Sequence, residues 1–262
     1  MSDLALEDAQ SKRTSRGRIR AFDAAVLTLL ILAFWQVIGS WTEGVAVSPP
    51  LQTLVYLFDL LRTWMFWDNA AATLAAFLLA FALSALIGLA LGLIFGVQRF
   101  TGEVAEPILA GFYTIPKVTL YPVVLLIFGL AMSAKVAFGV MHGLVPMTVF
   151  TLGAVRTLPP VLIRTTKVLR LSPARTMLWV LVPACLPEIV NGLRISFSLT
   201  LLGVLIGEMF SSQRGLGFLL VNGMAQHNVP LSTAVVTVIV VVSIAANSLM
   251  LRLRGRTAHR SS

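Results

Sequence analysis

Four ionisable side chains stand inside or near the ends of long apolar runs: Lys117, His142, Arg194 and Glu208. A charge at the centre of a membrane helix costs about 2.5–3.5 kcal/mol on insertion scales, so such groups are expected to face protein or water. Lys117, between Pro116 and Tyr121, sits close to the middle of its run. Its ammonium can attract an anion along a pathway, or reach along its own stem to an interface. Asn191, Arg194, Ser198, Leu201, Leu205 and Glu208 recur at steps of three or four and read as one face of a helix. Glu208 then lies about 21 Å from Arg194, 14 residues at 1.5 Å each. It fits a gating or docking role, or a helix-end ion pair. Arg194 fits anchoring near a helix end, and His142 fits a structural hydrogen bond.

A second group is the basic stretch Pro159–Pro187. Val161, Thr165, Val168, Leu169 and Ser172 lie near one helical face, with Arg164, Lys167 and Arg170 around the rest. Ser172 is a good helix cap and Pro173 suits the first helical position, so a second helix is expected to start there and run toward Pro183 and Pro187. The pattern predicts a short, stiff helix–turn–helix on the surface, or else an interfacial helix resting on anionic lipid. Neither group is catalytic in type. No His/Asp/Glu cluster, no nucleophile with a nearby base and no Gly-x-x-x-x-Gly-Lys-Ser/Thr phosphate loop is present, and the single Cys185 excludes a disulfide framework.

The elements that must hold these residues are membrane helices. Of 262 residues, 57% are hydrophobic and 12% charged, about half the charge of a soluble domain. A helix needs about 20 apolar residues to cross a bilayer. Six runs qualify: Ala24–Trp41, Asn69–Val97, Pro107–Ser133, Val136–Val155, Ile189–Phe210 and Val229–Leu251. The net charge of +9 could suggest nucleic acid, but its basic residues cluster at the ends of apolar runs. The basic tails 1–22 and 252–262, Arg99 and the 156–182 loop fall on one side; Arg62, Lys135 and Arg214 fall on the other. The positive-inside rule therefore puts both termini in the cytoplasm, around a membrane domain of 23–251. Leu51–Trp67 reads as an amphipathic helix at the outer interface, with Trp64 and Trp67 at headgroup depth. Gly88, Gly92 and Gly96 mark a close helix contact. Pro116 and Pro122 are expected to bend the third span and Pro146 the fourth.

With these residues in view, the chain resembles the permeases of binding-protein-dependent ABC importers, in the nitrate/sulfonate/taurine branch. Their cytoplasmic coupling loop has Glu-Ala-Ala, a Gly four residues beyond the second Ala, and a Leu-Pro some dozen residues later. Counted back from Val182-Pro183, the Glu falls on Arg164, the Ala pair on Thr165 and Thr166, and the Gly on Arg170. The acid and the glycine are therefore both replaced, while Leu169, Ser172, Pro183, Pro187 and Gly192-Leu193-Arg194 agree. Ser48-Pro49-Pro50, Ile115-Pro116, Tyr121-Pro122, Phe128-Gly129-Leu130, Glu208-Met209 and Arg214-Gly215-Leu216-Gly217 extend the likeness over roughly residues 45–250.

The resemblance implies an all-α, type I importer permease with six spans and a coupling helix between spans 4 and 5, in the bacterial inner membrane. It assigns the ATPase contact to a loop of about 157–187, with Leu171 and Pro173 beside the residues already aligned. Pro116, Lys117, Tyr121, Arg194, Ser198 and Glu208 become pathway or gate candidates. The implied partners are a cytoplasmic ATPase dimer, an extracytoplasmic substrate-binding protein, a second permease copy and lipid, with no nucleic acid. ATP and magnesium would be bound by the ATPase, leaving no cofactor and no metal for this chain. A secondary transporter is the main rival, but the acidic residues here lie near span ends and the basic helix–turn–helix would be unexplained.

Overall fold

A computed structural model describes residues 22–98 and 100–251 in full, and gives helix bounds alone for 2–21, 99 and 252–258. Apart from Phe22, the two basic tails lie outside the fully described residues. Helix α1 spans Ser2–Trp41, α2 Pro50–Leu61, α3 Trp64–Val97, α4 Arg99–Thr114, α5 Tyr121–Phe128 and α6 Met132–Thr157. Helix α7 spans Pro160–Val168, α8 Pro173–Arg175, α9 Val182–Ser211, α10 Leu216–Ala225 and α11 Val229–Ala258. Among the described residues, five stretches are long and apolar enough to span: Phe22–Trp41, Trp64–Val97, Met132–Thr157, Pro173–Ser211 and Val229–Leu251. A sixth forms if Phe100–Thr114 and Lys117–Phe128, bent by 90° at their junction, count as one.

Helices α3, α6 and α9 form the packed centre. In lipid, helices gain little by hiding apolar groups from one another, so backbone proximity decides which faces meet. The glycine triple does this for α3 and α6. A Cβ on Gly88 would come within 2.7 Å of Met147, one on Gly92 within 2.4 Å of Thr151 and one on Gly96 within 2.6 Å of Val155. Both rows step by four, so the two helices lie in register. Gly139 and Gly203 bring α6 and α9 together in the same way, the hypothetical Gly203 Cβ lying 3.0 Å from the Gly139 Cα.

The third span is broken rather than gently bent. Pro116 follows the end of α4, and a short 3₁₀ turn over Lys117–Leu120 leads into α5. Pro122 bends nothing: it occupies the first turn of α5, where no helix hydrogen bond is lost. Helix α4 opens at Arg99, ahead of the apolar run that begins at Pro107. Helix α6 runs through Pro146 as one element. The amphipathic helix is shorter than expected. It stops at Leu61 because Thr63 caps the next helix, its Oγ1 accepting from the Phe66 amide at 3.3 Å. Trp64 and Trp67 therefore begin span α3.

Candidate functional site

Two polar constructions stand at opposite ends of the bundle. At the basic end, α7 begins at Pro160 and finishes in a Schellman turn. The Arg170 amide donates to the Lys167 carbonyl at 3.1 Å, and the Leu171 amide reaches back to the Thr166 carbonyl at 3.0 Å. That motif needs a left-handed residue one place past the cap, and Arg170 holds it with φ 50°. The position is the one where the family pattern has glycine. Ser172 then caps α8, its Oγ accepting from the Arg175 amide at 3.4 Å, with Pro173 opening the helix. A π turn over Thr176–Leu181 follows directly. It delivers the chain to Pro183, which has no N–H to donate, and α9 then continues through Pro187. The second helix of the basic element therefore does not stop at those prolines, and from Pro173 the chain runs into the fifth span as one helical stretch, with α7 joined to it by the turn at Leu169–Ser172.

On the tip, Thr166 is buried and Leu162, Ile163 and Leu171 are half-buried. Arg164, Thr165, Lys167, Arg170, Ser172, Pro173 and Arg175 are exposed, as are Val168 at 80% and Leu169 at 63%. Among the described residues, none of the four cations has an ion-pair partner within 4 Å.

At the far end Glu208 is fully buried. Its carboxylate accepts from Thr73 Oγ1 at 2.8 and 3.0 Å and from the Gly217 amide at 3.0 Å, and lies 3.8 Å from Lys135 Nζ. Lys135 also donates to the Arg214 carbonyl at 2.8 Å. Asn69 Oδ1 accepts from the Gly215 amide, and Thr73 Oγ1 from the Leu216 amide, both at 2.8 Å. Gly215, at φ 129°, is forced by this approach, because a Cβ there would sit 2.1 Å from the Glu208 carboxyl carbon. The group is a clasp that pins the Ser212–Gly215 loop and α10 onto α3 and α6. It is closer to the helix-end ion pair of the sequence reading than to a group open to cargo.

The remaining candidates are dispersed. Tyr121 is buried beside the clasp, donating to the Gly207 carbonyl at 2.7 Å and touching the Ser211 hydroxyl. Pro116 and Lys117 mark the break in span three, with the Lys117 ammonium 5.3 Å from the centre of the Tyr113 ring. Arg194 donates to Asn247 Oδ1 at 2.7 Å, joining α9 to α11. His142 donates from Nδ1 to the Phe138 carbonyl at 2.9 Å. Along α9 this face meets different neighbours at different levels: Glu208 is buried in the bundle, Arg194 reaches Asn247 of α11, and Ser198 is exposed. Asn69 and Thr73 were missed, although polar residues four apart in an apolar span are a visible signal.

Residues 85–260 match the family of binding-protein-dependent transport system inner membrane components, and the chain belongs to that family. It is 30% identical over 232 residues to a probable ABC transporter permease protein of Haemophilus influenzae, covering 87% of this chain and 93% of the other. The riboflavin transport system permease protein RibX of Chloroflexus aurantiacus is also 30% identical, over 76% of this chain and 75% of its own. The taurine transport system permease protein TauC of Escherichia coli is 27% identical, over 74% of this chain and 72% of its own. Among solved structures, an inward-facing MetNI methionine ABC transporter matches with a TM-score of 0.65 at 18% identity, over 74% of this chain and 97% of that chain. The fold is that of a type I ABC importer permease, and the chain is a multi-pass inner-membrane subunit of such an importer.

Proposed function

We propose that two copies of this chain form the translocation pathway of an ATP-driven importer for a small solute. Both termini face the cytoplasm. An extracytoplasmic binding protein delivers the cargo, and a separate subunit binds magnesium and ATP and hydrolyses the nucleotide. The observation that carries this reading is the basic tip, a capped helix–turn–helix whose second helix runs on into the fifth span and whose cations have no ion-pair partner among the described residues. Motion imposed on such a tip passes into the bundle along the helical stretch that begins at Pro173.

A second copy is favoured by the uncovered side of α9, where Glu188, Ile195, Ser198 and Leu202 are exposed in steps of three to seven. A stripe that mixes a carboxylate and a hydroxyl with apolar groups suits protein or water better than lipid. For the cargo, we favour nitrate, a sulfonate, taurine or a related small organic compound. Relatives named for aliphatic sulfonates, taurine and nitrate support this, as do others named for riboflavin and formylaminopyrimidine. The test is uptake into proteoliposomes. Transport is expected only when the nucleotide-hydrolysing subunit, ATP and the binding protein are all supplied; solute movement by this chain alone overturns the proposal.

A further inference from the structure

The basic tip carries more charge than a mechanical contact requires. Residues 157–187 contain Arg164, Lys167, Arg170 and Arg175 and no acidic residue. We propose that this tip docks into a carboxylate-lined groove on the motor subunit, so that the importer selects its own ATPase by charge. The inference rests on the function proposed above and adds the chemistry of the partner surface.

Three observations favour a protein groove over a lipid surface. First, the continuous Pro173–Ser211 stretch of 39 residues is about 58 Å long, whereas a bilayer with its headgroups is about 40–45 Å thick. Second, Met177 and Leu181 pack level with Val155 and Leu158 at the end of α6, so Pro173 and α7 stand beyond that end. Third, the side of α7 bearing Leu162, Ile163 and Thr166 is already turned onto this chain, where α7 meets the π turn. What α7 and its turn leave outward is Val161, Val168 and Leu169, together with cations that have no ion-pair partner within 4 Å among the described residues. Exposed apolar side chains interspersed with cations complement an apolar groove with carboxylates along it, and such charges govern partner choice and encounter rate.

The test uses the full-length chain in nanodiscs of neutral phosphatidylcholine and the ATPase subunit that supports its uptake activity. Association of the two is measured as salt is raised. For the triple reversal Arg164→Glu, Lys167→Glu, Arg170→Glu, affinity is expected to fall about tenfold or more, with most of its salt dependence lost. The double variant Arg164→Lys, Arg170→Lys is expected to keep both, and the thermal midpoint of each variant to stay within a few degrees of the parent's. Unchanged affinity of the triple variant overturns the inference and leaves the importer reading standing. So does a loss confined to binding of phosphatidylglycerol vesicles, which would assign the tip to lipid. If the parent chain associates with no ATPase at all, the function proposed above falls with it.

Discussion

Arg170 shows how one residue can serve two demands at once. A left-handed backbone costs a side-chain-bearing residue roughly 1 kcal/mol or more, which is why glycine is favoured after a Schellman turn. Here the position is occupied by a cation at φ 50°. Arg170→Gly is expected to raise the thermal midpoint of the purified chain while weakening its association with the ATPase. A lower midpoint would show that the guanidinium holds the turn. Glu208 is the opposite case, a charge with no access to solvent. Glu208→Ala would leave Lys135 and the Gly217 amide without their carboxylate, and breaking a buried pair costs about 3–5 kcal/mol. A clear drop in thermal midpoint is expected, larger than that of Arg194→Ala, whose partner Asn247 is neutral. Equal stability of the two variants would deny the clasp its structural role. Lys117 has no carboxylate within 4 Å among the described residues. For an anionic cargo, Lys117→Met is expected to slow uptake; unchanged uptake would remove Lys117 from the pathway.

At the scale of elements, the helices were legible wherever composition alone decided them. Helix α11 begins at Val229, where its apolar run begins, and the glycine triple marks a close contact, between α3 and α6, as its spacing suggested. What sequence could not settle were the positions where local hydrogen bonding chooses between two continuations. Thr63 ends one helix and begins another inside what read as a single amphipathic stretch. Pro116 breaks a helix while Pro122 starts one, a difference of position within the turn and not of residue type. Of the candidate site, the basic tip was legible because proline, serine and charge patterns are local. The clasp was not, since it joins Asn69, Thr73, Lys135, Glu208 and Gly215 across long stretches of chain. Gly92→Leu overfills the α3–α6 contact and is expected to cost about 1–3 kcal/mol, seen as a lower thermal midpoint and loss of a monodisperse species in detergent. Gly111→Ala, where a Cβ would meet nothing within 4 Å, is the control and should be silent.

For the whole molecule, every functional statement depends on which end faces the cell interior. The charge asymmetry is the ground for the proposed direction, and the structure supplies sites at which to measure it. Ser172 at the tip and Gln213 beside the clasp are both exposed, at opposite ends of the stretch Pro173–Ser211. The single native thiol, Cys185, is buried, and burial pushes a labelling reagent's access to it close to nothing. A Cys185→Ala background carrying Gln213→Cys should therefore react with a membrane-impermeant maleimide on intact spheroplasts, whereas Ser172→Cys should react only on inside-out vesicles. The reverse pattern would place the basic tip outside the cell, where no nucleotide-driven motor could reach it, and coupling through the tip would have to be abandoned. The expected pattern places motor and receptor on opposite faces of one rigid path: from the Arg170 turn, through the unbroken π and α segments, to Glu208 and the loop it pins. On that path a displacement at the basic end reaches the receptor side through a single continuous helix, so variants that loosen the clasp should uncouple ATP hydrolysis from the delivered cargo even though they lie about 50 Å from the tip, 35 or more residues at 1.5 Å each.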